Sequence, residues 1–191
     1  MKTIKNNIED LLIIKNSKFI TNIFKLNSYE DIDKYLEYTK TKYKDANHNC
    51  YAYIYENLKK SSDDKEPSGT AGIPMLQVLE KRDLTNLLVV VTRYFGGIKL
   101  GAGGLVRAYS NSVSNALDKL EIIDLIKGVN IDIIFSYEDI KKIDYLLRDK
   151  TILTKDFDNS IKYNLNIDYD TLELLQNIDN VNVIINKDVY L

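Results

Sequence analysis

An apolar run, a glycine-rich segment and an amphipathic pattern follow one another between residues 87 and 120 and constrain the fold more than any other feature. The run NLLVVVTRYF is typical of a strand that is buried on both faces. The next segment, RYFGGIKLGAGGLVRAYS from Arg93 to Ser110, holds five of the chain's eight glycines. Apolar residues then recur at helical spacing from Leu105 to Leu120. We therefore predict a buried strand, a glycine loop and a helix, in that order.

The residues before this segment predict further strands and helices. LLIIKNSKFITNIFKL indicates one or two strands, and a helix with Ser28 as its N-cap and Asp31 three residues on follows them. The run Cys50 to Tyr55 predicts a buried strand. The polar segment ENLKKSSDDKEPSGTAG predicts a loop, and a helix from about Ile73 to Lys81 comes after it.

The last third of the chain alternates strand and helix patterns. VNIDIIFSY, TILTKDF, IKYNLNI and VNVIIN predict strands, with one helix capped by Ser136 and a second that follows Asp170. The resulting order, βαββαβ, is that of ferredoxin-like folds, which host many functions. Residues 121–128 are expected to form a hinge, so the predicted domains are 1–124 and 125–191. The fold class is α+β.

Charge and composition restrict the classes of partner. The net charge of −2 hides an asymmetry, because residues 1–120 carry about +4 and residues 121–191 about −6. A polyanion is therefore expected to meet the first part. The single cysteine, Cys50, cannot form an internal disulfide, and neither a signal peptide nor a long apolar span is visible. We expect a cytoplasmic protein with no membrane partner, no DNA partner and no cofactor.

The glycine segment matches neither of two nucleotide-binding motifs. A Walker A loop needs Lys and Ser or Thr after its last glycine, whereas Gly101 is followed by Ala102 and Gly103. A dinucleotide loop needs a third glycine where this chain has Val106. Free backbone N–H groups at a helix N-terminus can still hold an anion. No acidic residue lies between Asp83 and Asp118 to oppose this.

The predicted binding surface is therefore cationic and glycine-rich. Its candidate residues are Arg93, Tyr94, Gly96, Gly97, Lys99, Gly101, Gly103, Gly104, Arg107 and Tyr109. Cations with interleaved aromatic rings suit phosphates and stacked bases. The alternative is that the glycines only permit positive φ angles and close approach, with the cations solvated or paired to acids.

A second group of candidates precedes the helix expected from Ile73. It comprises His48, Cys50, Asp63, Asp64, Glu66, Ser68, Gly69 and Thr70. The three carboxylates could bind a divalent cation, or one of them could pair with Arg93 or Arg107 and join the two loops. Ser68 and Thr70 could bond backbone amides or cap the helix. His48 and Cys50 would share a face of a strand, either as a nucleophile pair or as an edge histidine beside a buried thiol.

Three blocks, DANHNCYAY, DDKEPSGTAGIPML and VVVTRYFGGIKLGAGGLVRAYSNSV, resemble the signature of the IMPACT/YigZ family. With NSKFI, the resemblance covers about residues 15–120, and the βαββαβ tail fits the bacterial members. One position departs from the pattern, because Lys65 stands where the family usually has glycine. If that glycine has a positive φ, the loop is altered or strained here.

The resemblance implies an N-terminal domain like domain IV of elongation factor G and a ferredoxin-like second domain. In the eukaryotic branch, it implies protein binding that restrains a stress-response kinase acting on translation initiation. We therefore expect a non-enzymatic, translation-associated regulatory protein whose partner is the ribosome, RNA or a translation-regulating protein. The alternative is a small metal-dependent hydrolase or phosphate-handling enzyme that uses Asp63, Asp64 and Glu66 with Arg93 and Arg107. A third alternative is that the glycine blocks only build an unusual fold.

Overall fold

The run from Leu87 to Tyr94 forms the middle strand of a five-stranded antiparallel sheet in a computed structural model that describes residues 1–191. Contacts divide the chain into two units, Met1–Asp124 and Leu125–Leu191. The first unit is built, in chain order, from β1 (Lys2–Ile4), β2 (Ile8–Ile14), β3 (Ser17–Lys25), α1 (Asp31–Lys42), β4 (His48–Tyr55), β5 (Leu58–Ser62), α2 (Gly72–Lys81), β6 (Leu87–Tyr94), α3 (Ala102–Leu117) and β7 (Ile122–Asp124).

The sheet order is β2-β3-β6-β4-β5, which places β6 at the centre. Alternate residues of β6 enter two separate cores, because side chains along a strand point to opposite faces. Val89 and Val91 pack in the same core as Met75 of α2 and Tyr109 of α3. Leu88 and Val90 pack on the other face with residues that include Ile32 of α1. The prediction of a strand buried on both faces is confirmed.

Several predicted boundaries in this unit need correction. The apolar stretch near the N-terminus forms two strands, and β5 occupies part of the segment expected to be a loop. Helix α1 begins at Asp31, and the side chain of Ser28 does not cap it. Instead, the Asp31 carboxylate accepts hydrogen bonds from the N–H groups of Asn27 and Ser28, at 3.0 and 3.2 Å. The segment 121–128 contains the boundary between the two units, and its residues Ile122–Asp124 form β7, which pairs with β1.

The second unit contains β8 (Lys127–Phe135), a 3₁₀ turn (Tyr137–Asp139), α4 (Ile140–Leu146), β9 (Ile152–Phe157), β10 (Ile161–Asp168), α5 (Tyr169–Gln176) and β11 (Asn182–Tyr190). Its four strands form an antiparallel sheet in the order β11-β8-β10-β9. Alternate residues of β8 and β10, such as Ile131 and Leu165, pack with Ile143 of α4 and Leu175 of α5. The core therefore lies between the sheet and its two helices.

The caps in this unit also differ from those predicted. Helix α5 is capped by Asp168, whose carboxylate accepts from the N–H of Thr171 at 2.7 Å, and not by Asp170. Ser136 precedes a 3₁₀ turn, and its hydroxyl donates to Asp139 instead of accepting from the backbone. No helix of the structure combines the length and apolar character needed to cross a membrane.

Candidate functional site

The acidic loop that follows β5 is held to the start of α2 by Asp63. Its carboxylate accepts hydrogen bonds from the N–H groups of Gly69, Ala71 and Gly72 at 2.8, 3.0 and 2.8 Å. Helix α2 has no side-chain cap of its own at Ala71, so Asp63 supplies one from outside the helix. Burial by itself would raise the pKa of Asp63, but the three N–H donors lower it below its ordinary value.

The next two residues turn the chain back towards β4. Asp64 accepts from the N–H of Asn49 at 2.6 Å. Lys65 has a φ of 69°, in the left-handed region that glycine tolerates best. The positive φ that the family resemblance raised for this position is therefore present in the structure. Lysine in this conformation carries steric strain that glycine would not.

Glu66 and Arg93 form a buried ion pair between the acidic loop and β6. The Arg93 Nη1 donates to Glu66 Oε1 at 2.5 Å, and the two residues are only 5% and 8% exposed. The hydroxyl of Tyr109, on α3, donates to the same oxygen at 2.8 Å. Of the alternatives open from the sequence, the pairing of Glu66 with Arg93 is therefore the one observed. Three separate elements meet at one carboxylate.

This arrangement corrects the predicted surface at two positions. Arg93 and the fully buried Tyr109 lie beneath the surface, so neither adds a cation or an aromatic ring to an exposed face. Tyr94 is half-buried, and its hydroxyl donates to Asp45 at 2.9 Å. Lys99 and Arg107 are exposed and make no salt bridge. They are the cations of the predicted set that face solvent freely.

His48 and Cys50 share a face of β4 but do not act on each other. The His48 Nδ1 lies 2.8 Å from the carbonyl oxygen of Asp64, which can only accept, so this nitrogen carries the proton. The Cys50 thiol donates to the carbonyl of Asp63 at 2.9 Å. Burial raises the pKa of Cys50 to about 12. An inert buried thiol beside a half-buried histidine therefore fits the structure, and a nucleophile pair does not.

Two of the remaining loop residues, Gly69 and Thr70, stabilise the conformation of the loop backbone. The hydroxyl of Thr70 donates to the carbonyl of Pro67 at 2.6 Å, and Gly69 has a φ of 74°. Ser68 is exposed. The carboxylates of Asp63, Asp64 and Glu66 each hold a different partner, and no three His, Cys, Asp or Glu side chains of the chain come close enough together to hold a metal ion.

The glycine loop after β6 contains both close contacts and open backbone. A Cβ on Gly96 would lie 2.1 Å from the backbone carbon of Asn16, so only glycine fits there. Gly101, with a φ of 73°, precedes α3 as its N-cap without any side-chain hydrogen bond. Phe95 and Ile98 are 46% and 45% exposed. The loop therefore presents apolar side chains next to Lys99.

A cleft of about 460 Å³ lies between this loop, the start of α3 and the acidic loop. We call it the α3 cleft. Its lining comprises Asn47, His48, Glu66, Pro67, Arg93, Phe95, Lys99, Leu100, Gly101, Ala102 and Leu105. The structure thus brings together residues from both predicted groups. Asn47, Pro67, Phe95, Leu100, Ala102 and Leu105 were not among the predicted site residues.

These features define a two-unit α+β protein with a mixed polar and apolar cleft and no assembled nucleophile. The sequence pattern of the Impact N-terminal domain matches residues 15–117. The IMPACT family member YvyE of Bacillus subtilis (strain 168) is 38% identical over 174 residues, which cover 88% of this chain and 77% of YvyE. The chain belongs to the IMPACT family. The match to the domain pattern contains every predicted site residue.

Two further comparisons show how much of the chain has relatives. The IMPACT family member YigZ of Escherichia coli (strain K12) is 41% identical over 112 residues, 56% of this chain and 55% of YigZ. A crystal structure described as that of a hypothetical protein superposes with a TM-score of 0.77 at 27% identity and covers 97% of both chains. The fold is thus shared along nearly the whole chain.

Proposed function

We propose that the protein is a non-enzymatic, translation-associated regulatory protein that contacts the ribosome, RNA or a protein regulator through the exposed part of its glycine loop. We call this surface the loop face and define it as Phe95, Ile98, Lys99 and Arg107. Membership of the IMPACT family supports the general role. The single observation that carries the contact surface is the exposure of two large apolar side chains in the same loop as the unpaired cation Lys99, with the unpaired Arg107 in the second turn of α3.

The loop face suits a partner with both charge and flat surfaces. An exposed Phe95 can stack on a base or pack against an apolar residue, and cations attract phosphates. With Arg93 buried, Lys99 and Arg107 are the cations left to contact phosphates. Each phosphate contact contributes a slope of about 0.7 to 0.9 in a plot of log affinity against log salt. For two cations we therefore expect a shallow slope of log affinity against log salt, no steeper than about −2.

The test is co-sedimentation of the full chain with ribosomes, and its binding to tRNA, across a salt series. The variant is Lys99→Glu/Arg107→Glu, because both side chains are exposed and unpaired. The control is Lys44→Glu/Lys60→Glu, which changes the charge equally at two other exposed, unpaired lysines. Loss of binding in the first variant alone supports the loop face. Absence of binding at low salt overturns the ribosome and RNA contact and leaves a protein regulator as the partner to seek.

The arrangement of the acidic loop gives no support to the enzymatic alternative. Asp63 and Asp64 accept from backbone N–H groups, and Glu66 accepts from Arg93 and Tyr109. These carboxylates are therefore committed to structural partners and not gathered as metal ligands. A cytoplasmic location, with no DNA or membrane partner, is part of the proposal.

The finer fold assignments are also proposals. For the second unit, the order βαββαβ and the sheet order β11-β8-β10-β9 support a ferredoxin-like fold. For the first unit, the likeness to domain IV of elongation factor G rests on the family resemblance. A superposition on that domain would test it directly.

A further inference from the structure

Gly103 is the one glycine of the chain that the fold itself does not explain. Of the eight glycines, the others either have a positive φ or would bring a Cβ within 3.0 Å of a neighbouring atom. Gly103 has neither property, since a Cβ there would meet nothing within 4 Å. It stands in the first turn of α3, where alanine forms helix better than glycine does. Bare backbone facing open space suits the close approach of a ligand.

Arg93 provides a second, independent sign of a ligand near the start of α3, where Gly101 and Ala102 line the same cleft. This residue is 5% exposed and lines the α3 cleft. Its Nε is the only buried side-chain nitrogen or oxygen in the chain that has no hydrogen-bond partner. Buried polar groups are nearly always satisfied, so an orphaned guanidinium N–H in a cleft wall indicates a missing acceptor.

The charge around the cleft favours an anion as that acceptor. Glu66 is neutralised by Arg93, which leaves Lys99 as the net cation of the lining. Helix α3 is 16 residues long, has no acidic residue in its first turn and no side-chain cap, so its first N–H groups are free. An oxyanion at this end would meet both the free N–H groups and the positive end of the helix dipole.

The rest of the cleft is apolar and large enough for an organic group. Pro67, Phe95, Leu100 and Leu105 contribute to the lining. The volume of about 460 Å³ falls within the range of small-molecule sites, about 300 to 1,000 Å³. Phe95 is a flat ring that remains 46% exposed, which suits stacking with another planar ring. The ligand therefore needs an anionic end and a planar apolar body.

We propose that the α3 cleft binds a phosphomonoester that carries a planar ring, the chemistry of a nucleoside 5′-monophosphate. The phosphate lies against the N–H groups at the start of α3, Lys99 and the Nε of Arg93, and the ring lies against Phe95. The same chemistry has two sources, a free nucleotide and the 5′-terminal nucleotide of an RNA. The α3 cleft shares Phe95 and Lys99 with the loop face. The site goes beyond the proposed regulatory function, because it specifies a phosphorylated ligand that requires neither a ribosome nor a protein partner.

Calorimetric titration of the full chain tests this with matched probes. AMP is compared with adenosine and with inorganic phosphate, and a 5′-phosphorylated RNA hexamer with its 5′-hydroxyl form. We expect each phosphorylated nucleotide probe to bind at least about tenfold tighter than its unphosphorylated partner, since charged hydrogen bonds are lost without the phosphate. Tighter binding of AMP than of the hexamer identifies a free nucleotide, and the reverse order identifies an RNA end. Equal affinity with and without the phosphate overturns the proposal.

Two variants locate the site. Gly103→Ala should weaken binding by about tenfold or more without lowering the melting temperature, because a methyl group beside the free N–H groups at the start of α3 would crowd the proposed phosphate while the helix gains a better helix former. Lys99→Gln should weaken binding of the phosphorylated probes only. Asn115→Ala, on the exposed side of α3, is the control and should bind normally. Wild-type affinity in Gly103→Ala would refute the placement.

The outcomes of this test and of the ribosome test are separable. Ribosome co-sedimentation uses no added nucleotide, and the titration uses neither ribosome nor tRNA. Binding to tRNA alone does not distinguish the two proposals, because tRNA carries a 5′-phosphate of its own. Nucleotide binding without co-sedimentation would sustain the cleft and remove the ribosome contact. Co-sedimentation without phosphate-dependent binding would sustain the ribosome contact and overturn the nucleotide site in the cleft.

Discussion

Removal of the Glu66 carboxylate should destabilise the first unit more than any change at an exposed ion pair. Glu66 is 8% exposed and accepts from both Arg93 and Tyr109. In Glu66→Ala, the buried guanidinium loses its counter-charge and the Tyr109 hydroxyl loses its acceptor. Breaking a buried pair in this way typically costs about 3 to 5 kcal/mol. We therefore expect the free energy of unfolding to fall by about that amount.

The exposed pair between Lys59 and Glu80 supplies the matched control. Its nitrogen and oxygen are 2.8 Å apart, with side chains 50% and 41% exposed. Such pairs contribute about 0 to 1 kcal/mol, so Glu80→Ala should change stability little. The assay is urea unfolding followed by circular dichroism, with Tyr fluorescence as a second probe because the chain has 14 Tyr and no Trp.

A double variant separates the charge from the rest of the network. Glu66→Met/Arg93→Met removes both charges, and replacing a buried pair by apolar residues is often neutral or stabilising. The Tyr109 hydroxyl would still lack its acceptor, at a cost of about 1 to 3 kcal/mol. The double variant should therefore be more stable than Glu66→Ala and less stable than the wild type. A loss of under about 1 kcal/mol in Glu66→Ala, as in the control, would refute this account of the pair.

Three further predictions concern the acidic loop and β4. Lys65→Gly should stabilise the chain by roughly 0.5 to 1 kcal/mol in urea unfolding, because relief of the left-handed strain exceeds the entropy that glycine adds to the unfolded state, and Lys65→Ala should not. The pKa of Asp63 is lowered on folding, so its carboxylate stabilises the fold above the unfolded pKa of about 3.9, and this contribution is lost as the pH falls below it. Asp63→Asn should therefore unfold with a weaker acid dependence below about pH 5 in urea titrations at several pH values. Burial raises the pKa of Cys50 to about 12, so a thiol reagent at neutral pH should react much faster with the chain in urea than with the folded chain.

The central elements could be predicted from sequence because their patterns are strong and local. Six consecutive aliphatic or Thr positions in β6 and the helical repeat in α3 each admit one simple interpretation. The caps could not be predicted equally well. Asp31 accepts backbone N–H groups from before its helix, and Asp168 caps α5 two residues ahead of Asp170. Several Ser and Asp residues near each helix start fit the same rule, and backbone angles choose among them.

The site was harder to predict because its contacts join distant segments. Arg93 and Tyr109 both donate to Glu66, although they lie 27 and 43 residues after it in the sequence. Because charged residues are usually exposed, the sequence favours a surface position for Arg93, with pairing to Glu66 or Asp64 as the alternative. One signal pointed elsewhere: Arg93 is two residues from Val91 in a strand predicted to be buried on both faces. Their side chains share a face, which in the structure is the one packed against α3.

Three unfavourable local features lie around the α3 cleft, although left-handed non-glycine residues also occur at turns elsewhere in the first unit, such as Lys15 and Glu56. Lys65 is held in a left-handed conformation beside Glu66, Gly103 weakens the first turn of α3, and the Arg93 Nε lacks a partner. Each of these features lowers stability and could be removed by a single substitution. Unfavourable local features persist in proteins chiefly at functional sites, where the surrounding structure holds them in place. Because the buried ion pair locks the acidic loop to β6 and α3, the cleft can keep these features without losing its shape. That combination favours a preformed ligand site over loops that serve the fold alone.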